Sequence, residues 1–358
     1  MKLNKKRARL VAAAGIASLF IMAAVSGCGN SAGNQDTEAD GDASASGKVT
    51  LTLGAYSVPK EAVQAIIPLF QTYWKEKSGQ TVIFKESYEA SGAQARAIAQ
   101  GFEADIALLS LEGDIDKIEE AGLITEDWRS KPHGGMITES VVALGVRDGN
   151  PKNIRDWEDL TKNGVEVLIP NPKTSGGAQW DVNAIYGAGL KLSEEAGAAD
   201  PSKAKDLLSR IYRNVKALDK SGRESMTTFE KGIGDAVITY ENELLARNLA
   251  GEHYGIIVPN YTIRIVNPVA VVDMNAEKHG VKEAADAFVD FLWTKEAQTE
   301  FAKRGFRAVD SQVGERFADQ YTTPGGLFDI DYLGGWAQVR STIYADGGIW
   351  DEVVENTK

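Results

Sequence analysis

The stretch of this chain best equipped for chemistry is Asn171-Pro172-Lys173-Thr174-Ser175-Gly176-Gly177-Ala178-Gln179-Trp180. A short apolar run, Val165 to Ile169, precedes it and reads as a buried strand. Asn171-Pro172 marks a turn, and Ser175-Gly176-Gly177 then opens a helical stretch running to about Lys191. A strand feeding a Gly-rich helix start presents unpaired backbone N–H groups at the positive end of a helix dipole, which is the chemistry of an anion site. The two glycines let an oxyanion approach the backbone closely, and Ser175 adds a hydroxyl donor. The same spacing also describes an ordinary capped helix, with Ser175 as N-cap and the glycines serving the turn. No Gly-Lys-Ser/Thr closes the stretch, so it is not a nucleotide P-loop.

Other chemistry is sparse. The three histidines, His133, His253 and His279, do not stand at metal-ligand spacing. No Gly-x-Ser-x-Gly elbow is present, and Ser175 has no base near it in sequence. Asp114 with Asp116, and Glu241 with Glu243, read as solvated helix faces. These features give little support to an enzyme, and they imply no cofactor and no metal.

The surrounding elements alternate. Val49 to Ala55 reads as a strand, followed by a helix after Pro59 with Val63, Ile66, Ile67, Phe70, Tyr73 and Trp74 on its apolar face. Pro68 is a candidate kink, and Gly79 ends the helix. Strands follow at Thr81 to Lys85, Ala104 to Ser110 and Val141 to Val146. A second Ser-Gly pair, Ser91-Gly92, opens a helix to Gln100, and another helix covers Asp114 to Ala121. Past the central stretch, Ser202 to Val215 reads as an amphipathic helix and Leu218 to Ser225 as a polar turn. Thr227 to Lys231 reads as helix, Asp235 to Thr239 as strand and Tyr240 to Leu249 as helix. Two strands, Ile256 to Val258 and Val269 to Asp273, are joined by a polar segment. Val281 to Trp293 and Lys295 to Lys303 are helices. The pattern predicts an α/β fold with mainly parallel sheets, whose ligand crevice lies beyond the carboxyl ends of its strands. That places Tyr56-Ser57, Ser87 to Ser91, Ser175 to Gly177, Ser221 to Arg223 and Tyr240 at the crevice.

The start of the chain is an address. Lys2, Lys5, Lys6, Arg7 and Arg9 precede an apolar run, Leu10 to Ser26, that closes with Val25-Ser26-Gly27-Cys28. This has the form of a bacterial lipoprotein signal over residues 1–27, with Cys28, the chain's single Cys, as the lipidated first residue of the mature protein. The rival is an uncleaved membrane anchor, for which the run is slightly short. Residues 28–48 are small and polar and read as a flexible tether. Both readings place the globular part outside the cytoplasm. Residues 28–358 carry 34 Lys and Arg against 51 Asp and Glu, a formal charge of −17 compared with −12 for the whole chain. So acidic a body argues against nucleic acid and against electrostatic attachment to anionic membrane, leaving the N-terminal lipid as the membrane contact. Any anion site must therefore rely on local backbone donors rather than on the global field.

Several segments, taken together, resemble one family. They are Ser91-Gly92-Ala93-Gln94-Ala95-Arg96-Ala97, Gly149-Asn150-Pro151-Lys152 with Asp156-Trp157, and Pro170 to Trp180. Thr227-Thr228-Phe229, Gly232-Ile233-Gly234-Asp235, Glu241-Asn242-Glu243, Gly334-Gly335-Trp336 and Ala345-Asp346-Gly347-Gly348 complete the series. From about Val49 to Val354 the chain resembles the sulfate/thiosulfate-binding proteins of bacterial ATP-binding-cassette importers. The resemblance implies a two-lobed periplasmic-binding-protein-like fold of type II, with a hinge and an interlobe cleft. Its lobes are expected at 49–140 with 262–358, and at 141–261. It further implies a monomeric receptor that delivers sulfate or thiosulfate to the permease subunits for sulfur assimilation. Ligand contacts are implied at Ser91, Ser175, Gly176 and Gly177, which match the family, and at Ser57, Gly222 and Tyr240, which depart from it. The family has Asp in place of Ser57, Ala in place of Gly222 and Trp in place of Tyr240.

The last departure changes the chemistry, because an indole only donates whereas a phenol donates or accepts. Sulfate near neutral pH carries no proton and asks for donors alone, while monohydrogen phosphate also needs an acceptor. Ser57 and Tyr240 hydroxyls therefore weaken a donor-only filter, worth about 1–3 kcal/mol per unpaired group. Arg96 and Arg223 either attract the anion from a distance or pack a helix and a turn. Alternatives to the sulfate reading are a receptor for phosphate, a sulfonate or another organic anion, and a surface lipoprotein or enzyme built on the same fold.

Overall fold

Residues 47–356 are described in a computed structural model; the expected signal, Cys28 and nearly all of the tether lie outside the described residues. Alternating apolar positions Leu51, Leu53 and Ala55 point inward from the first strand, β1 (Lys48–Tyr56). The next helix, α1 (Lys60–Ser78), runs through Pro68 and buries Val63, Ile66, Ile67, Phe70 and Trp74, while Tyr73 is exposed. It stops at Gly79, whose φ of 76° is the left-handed cap that glycine adopts freely. There follow β2 (Thr81–Glu89), α2 (Ser91–Ala99), β3 (Ile106–Leu108), α3 (Glu112–Glu120) and the long β4 (Met136–Val146). The second half begins with β5 (Val167–Pro170), α4 (Gly176–Glu195), α5 (Pro201–Tyr212), β6 (Val215–Asp219), α6 (Gly222–Glu230), β7 (Ala236–Tyr240) and α7 (Glu241–Leu249). The chain then returns through β8 (Gly255–Ile257) and β9 (Tyr261–Val271) to α8 (Asp273–Lys278), α9 (Lys282–Phe291) and α10 (Lys295–Ala302). It closes with β10 (Arg307–Ala308), α11 (Ser311–Phe317), β11 (Gly326–Phe328), α12 (Gly335–Val339) and α13 (Ile349–Glu355).

The fold is the expected two-lobed α/β type. The sheet order β2-β1-β3-β9-β4-β7-β5-β6 has two parallel ends, β2-β1-β3 and β7-β5-β6. Between them β9 and β4 run antiparallel to each other and to their outer neighbours, so the sheet is mixed where mainly parallel pairing was expected. The reason is topological: two 11-residue strands carry the chain out of one half and back. The residues of β4 from 138 to 141 pair with β9, and those from 142 to 146 with β7. Small apolar clusters fill each side. Ile98, Ile115, Ile118 and Trp128 pack on the first half, and Leu168, Met226, Phe229 and Leu244 on the second.

Three expectations change. The supposed polar linker between two strands is itself most of β9. There Ile263 and Ile265 point inward, while the polar Thr262 and Asn267 are buried with hydrogen bonds, Thr262 Oγ1 donating to the Val142 carbonyl at 2.7 Å. Val215 does not end a helix but begins β6, an edge strand with no fully buried residue and hence a faint apolar signal. The supposed turn from Leu218 to Ser225 contains the end of that strand and the first turn of α6.

The chain's end packs on α4 and α5 rather than on the first sheet half. Trp336 meets Trp180 edge to face at 4.7 Å, and Trp350 meets Tyr212 at 5.3 Å. The Tyr344 hydroxyl bonds the Gln179 carbonyl and Asn183 Oδ1, both at 2.9 Å. The close crossing of α4 and α5 rests on Gly189, where a Cβ would stand 2.6 Å from Ala204 Cα. Gly189→Ala is therefore expected to lower stability by about 1–3 kcal/mol, although alanine favours helix more than glycine does. A urea midpoint equal to or above that of the parent would show that the two helices part without cost.

Candidate functional site

Helices α2, α6 and α7 follow closely on the carboxyl end of a strand, α4 follows β5 after a short loop, and their starts meet at one narrow cavity. Tyr56, Ser57 and Val58 close it from the end of β1, and Ala90 and Ser91 from the start of α2. The second sheet half supplies Pro170, Ser175, Gly177 and Asp181 around α4, Ser221 and Gly222 at α6, and Thr239 and Tyr240 at the end of β7. The centre of a water molecule has about 20 Å³ in which to move, which suits a small guest and no extended one. Among the described residues no Lys, Arg or His lines the cavity.

The donors are therefore backbone N–H groups and hydroxyls. The first turn of a helix leaves its N–H groups without an intrahelical acceptor. At α4, Ser175 Oγ takes the Ala178 N–H at 3.2 Å, and at α6, Ser221 Oγ takes the Glu224 N–H at 3.2 Å. Both serines thus cap their helices while keeping a hydroxyl proton to donate. The two readings of Ser175, helix cap and anion donor, are compatible in this geometry. Ser91 differs. Its hydroxyl donates to Asp114 Oδ2 at 2.6 Å and accepts from the Ser110 N–H at 2.9 Å, so only its main-chain N–H remains for the cavity.

Six of the seven expected contact positions line the cavity: Ser57, Ser91, Ser175, Gly177, Gly222 and Tyr240. Gly176 instead faces the α3 start, where a Cβ would stand 2.1 Å from Ser110 Oγ and 2.9 Å from Asp114 Oδ2. Tyr56, placed at the crevice by its strand-end position, lines the cavity, whereas sequence reasoning missed Thr239 and Asp181. Asp181 carried a usable signal, since it stands four residues after Gly177 and so on the same face of α4.

Burial disfavours the charged form of each titratable group in the cavity wall, Tyr56, Asp181 and Tyr240. Burial holds the Tyr56 phenol well above its usual range, with Glu243 adding to the effect. Burial likewise raises Tyr240, with Tyr56 and Asp181 adding to it. Asp181, 1 % exposed, is raised well above the ordinary carboxylate range by burial. The hydroxyls of Tyr56 and Tyr240 and the Oδ1 of Asp181 are buried without a hydrogen-bond partner among the described residues. Ser110 and Asn267 lie near the Tyr240 hydroxyl without completing a bond.

Cations stand around the cavity, not in it. Arg223 pairs with Glu61 at 2.7 Å, donates to the carbonyls of Val58 at 3.1 Å and Ser57 at 3.3 Å, and reaches Glu243 at 3.4 Å. Lys220 pairs with Glu89 at 2.6 Å, Arg340 with Asp116 at 3.4 Å, and Trp180 Nε1 donates to the Ser110 carbonyl at 2.7 Å. Arg96 makes one long bond, 3.5 Å, to the Lys173 carbonyl. These contacts tie the first sheet half and its helices to the second sheet half and the chain end that packs on it. The expectation of solvated carboxylates fails for Asp114, Glu241 and Glu243, all buried. Glu241 is held by Arg307 at 2.9 and 3.1 Å, and Glu243 lies between Arg223 and Arg247. Arg247 is only four residues from Glu243, but Arg307 and Arg223 are distant in sequence, which is why an i, i+2 acidic pair looked solvated. Among the described residues no group of His, Cys, Asp and Glu could hold a metal.

The sequence profile described as bacterial extracellular solute-binding protein matches residues 51–307. A sulfate-binding protein of Synechococcus elongatus is 42 % identical over 99 % of this chain and 98 % of its own length. A thiosulfate-binding protein of Pseudomonas aeruginosa is 33 % identical over 84 % of this chain and 90 % of its own. Among solved structures, the sulfate-binding protein of Mycobacterium tuberculosis superposes with a TM-score of 0.75 at 38 % identity, covering 82 % of this chain and 98 % of that one.

The two glycines make a testable contrast. A Cβ at Gly177 meets only ordinary contacts, at 3.4 Å and beyond, whereas one at Gly176 overlaps Ser110. Gly176→Ala is expected to cost about 1–3 kcal/mol in urea unfolding, and Gly177→Ala less than about 0.5 kcal/mol. Equal losses would show that the α4 start can shift away from Ser110 freely.

Proposed function

Because the chain belongs to the bacterial extracellular solute-binding proteins, alongside the sulfate- and thiosulfate-binding proteins, we propose that it captures sulfate or thiosulfate outside the cytoplasmic membrane and delivers it to an ATP-binding-cassette permease. The observation that carries this reading is a small cavity at converging helix starts with no cation in its wall. A cavity of that kind suits a compact dianion, whose charge is spread over several N–H dipoles rather than neutralised by one ammonium or guanidinium. On this reading the main-chain N–H groups of Ser57, Ser91, Gly177 and Gly222, with the hydroxyls of Ser175 and Tyr240, hold the anion. The protein returns it unchanged; relatives sharing most of this chain are named as binding proteins.

The lobes of the receptor are residues 49–140 with 262–358, and 141–261, joined through β4 and β9. The last helices of the former are seated on α4 and α5 of the latter, which supports closure as a motion that the chain's end accompanies. Arg223, Lys220 and the Trp180 indole are the contacts that closure would make. Phosphate is the second reading, favoured by one feature: the hydroxyls of Tyr56 and Tyr240 have no partner and can accept as well as donate.

Calorimetric titration of the purified protein in chloride buffer with sulfate, thiosulfate and phosphate tests the reading. Saturable one-to-one binding of sulfate or thiosulfate is expected. Ser175→Ala and Tyr240→Phe should each weaken it by about 1.5–3 kcal/mol, the worth of a hydrogen bond to a charged group. Heat with phosphate alone would replace sulfate by phosphate, and unchanged affinity in Tyr240→Phe would remove that phenol from the contacts.

The anchor is a separate proposal. Cys28, placed after an apolar run and a basic start, supports a lipid-anchored protein on the outer face of the membrane. Cys28→Ser is expected to abolish incorporation of labelled fatty acid and to release the protein from the membrane fraction. Incorporation equal to the parent would place the lipid elsewhere or nowhere.

A further inference from the structure

One group in the cavity wall is out of character with an anion site. Asp181 lies on α4 one turn beyond Gly177, lines the cavity, is 1 % exposed, and has an Oδ1 with no hydrogen-bond partner. The titratable groups that face it are phenols. Tyr240 approaches from β7, with Tyr56 of β1 beyond it, and Tyr344 approaches from the C-terminal segment. The Tyr344 hydroxyl proton is committed to the Gln179 carbonyl and Asn183 Oδ1 and is not free for Asp181. Among the described residues no cation lines the cavity. An ionised carboxylate in such a wall would be desolvated, unpaired and set beside a dianion, three costs of the same sign. Burial alone already raises this carboxyl well above its usual range. As the neutral acid it brings one O–H donor to a wall in which the other polar groups are donors too.

We propose that Asp181 enters the closed site as the neutral acid and donates its O–H to the bound oxyanion, so that each dianion captured brings one proton with it. The proposal rests on the sulfate reading above. The proton comes from the solvent and stays on the Asp181 carboxyl; no bond of the anion changes. With the lobes apart, water reaches the cleft and the carboxyl titrates nearer its ordinary range. The bound state therefore holds one more proton than the free state at any pH between the two ionisations. Affinity is full below the free-state ionisation and falls about tenfold per pH unit above it, until the bound-state ionisation is reached.

Sulfate titration of the purified full chain in detergent, from about pH 5 to about pH 8, in two buffers of different ionisation enthalpy, reads the proton directly. The expected result is uptake approaching one proton per sulfate at the upper end of that range, with affinity falling as pH rises. Asp181→Asn keeps a donor that cannot titrate, and is expected to bind with no proton uptake and a flat pH profile. The proton count on the unaltered protein decides the matter even if that variant folds poorly. Sulfate binding with no proton uptake at any pH, or an Asp181→Asn profile that falls as steeply as the parent's, overturns the proposal while leaving the sulfate reading intact. No sulfate binding at any pH overturns the sulfate reading and this inference with it.

Discussion

The N–H groups in the first turn of a helix have no acceptor within that helix, and burying several such turns at one point leaves them in need of a guest. This chain does so at the starts of α2, α4 and α6, which open on one cavity together with the end of β1 and Tyr240. The need for donors explains the residue types there. Glycines at 177 and 222 keep side chains from covering the N–H groups. Serines at 175 and 221 satisfy one N–H each while retaining a hydroxyl proton. Ser91 is tied back to Asp114 and Ser110, so the start of α2 offers backbone alone.

The same constraint explains where the charges stand. Residues 28–358 carry a formal charge of −17, and an exposed cation near the cleft would be claimed by neighbouring carboxylates. Arg223 is an example. It follows Gly222 directly, yet its guanidinium turns away from the cavity to Glu61, Glu243 and the carbonyls of Ser57 and Val58. Its charge is used to hold one side of the site against the other. Dipoles at the anion and ion pairs at the rim thus divide two tasks that a single lysine in the pocket would confuse: a fixed cation would also attract organic acids and phosphate esters.

Bringing helix starts from both halves together depends on β4 and β9. Because each strand pairs with one half of the sheet along part of its length and with the other strand elsewhere, the two halves are joined by continuous hydrogen-bonded backbone. That arrangement permits bending about a short line and resists sliding. The C-terminal residues add a second tie. They are seated on α4 and α5 through Trp336 and Trp350, while Arg340 reaches Asp116 on α3.

Much of this was legible in the residues. The Ser-Gly-Gly helix start after an apolar strand and the alternation of strands and helices are local patterns, and local sterics and periodicity decide them. The strand-end rule gathered the segments holding Ser57, Ser91, Gly222 and Tyr240, and the motif resemblance narrowed those segments to single contact positions. Tertiary structure alone decided the rest. β9 was hidden because its buried Thr262 and Asn267 look like a linker until their partners at Val142, Thr138 and Ser110 are known. Glu241 and Glu243 looked solvated until Arg307, Arg223 and Arg247 closed on them. Asp181 looked like any helical acid until the fold buried it against two phenols with no cation in reach. A residue's type and local spacing set which bonds it can form. Whether those bonds are made, and what a burial costs, depends on partners that only the folded chain brings within a few ångströms.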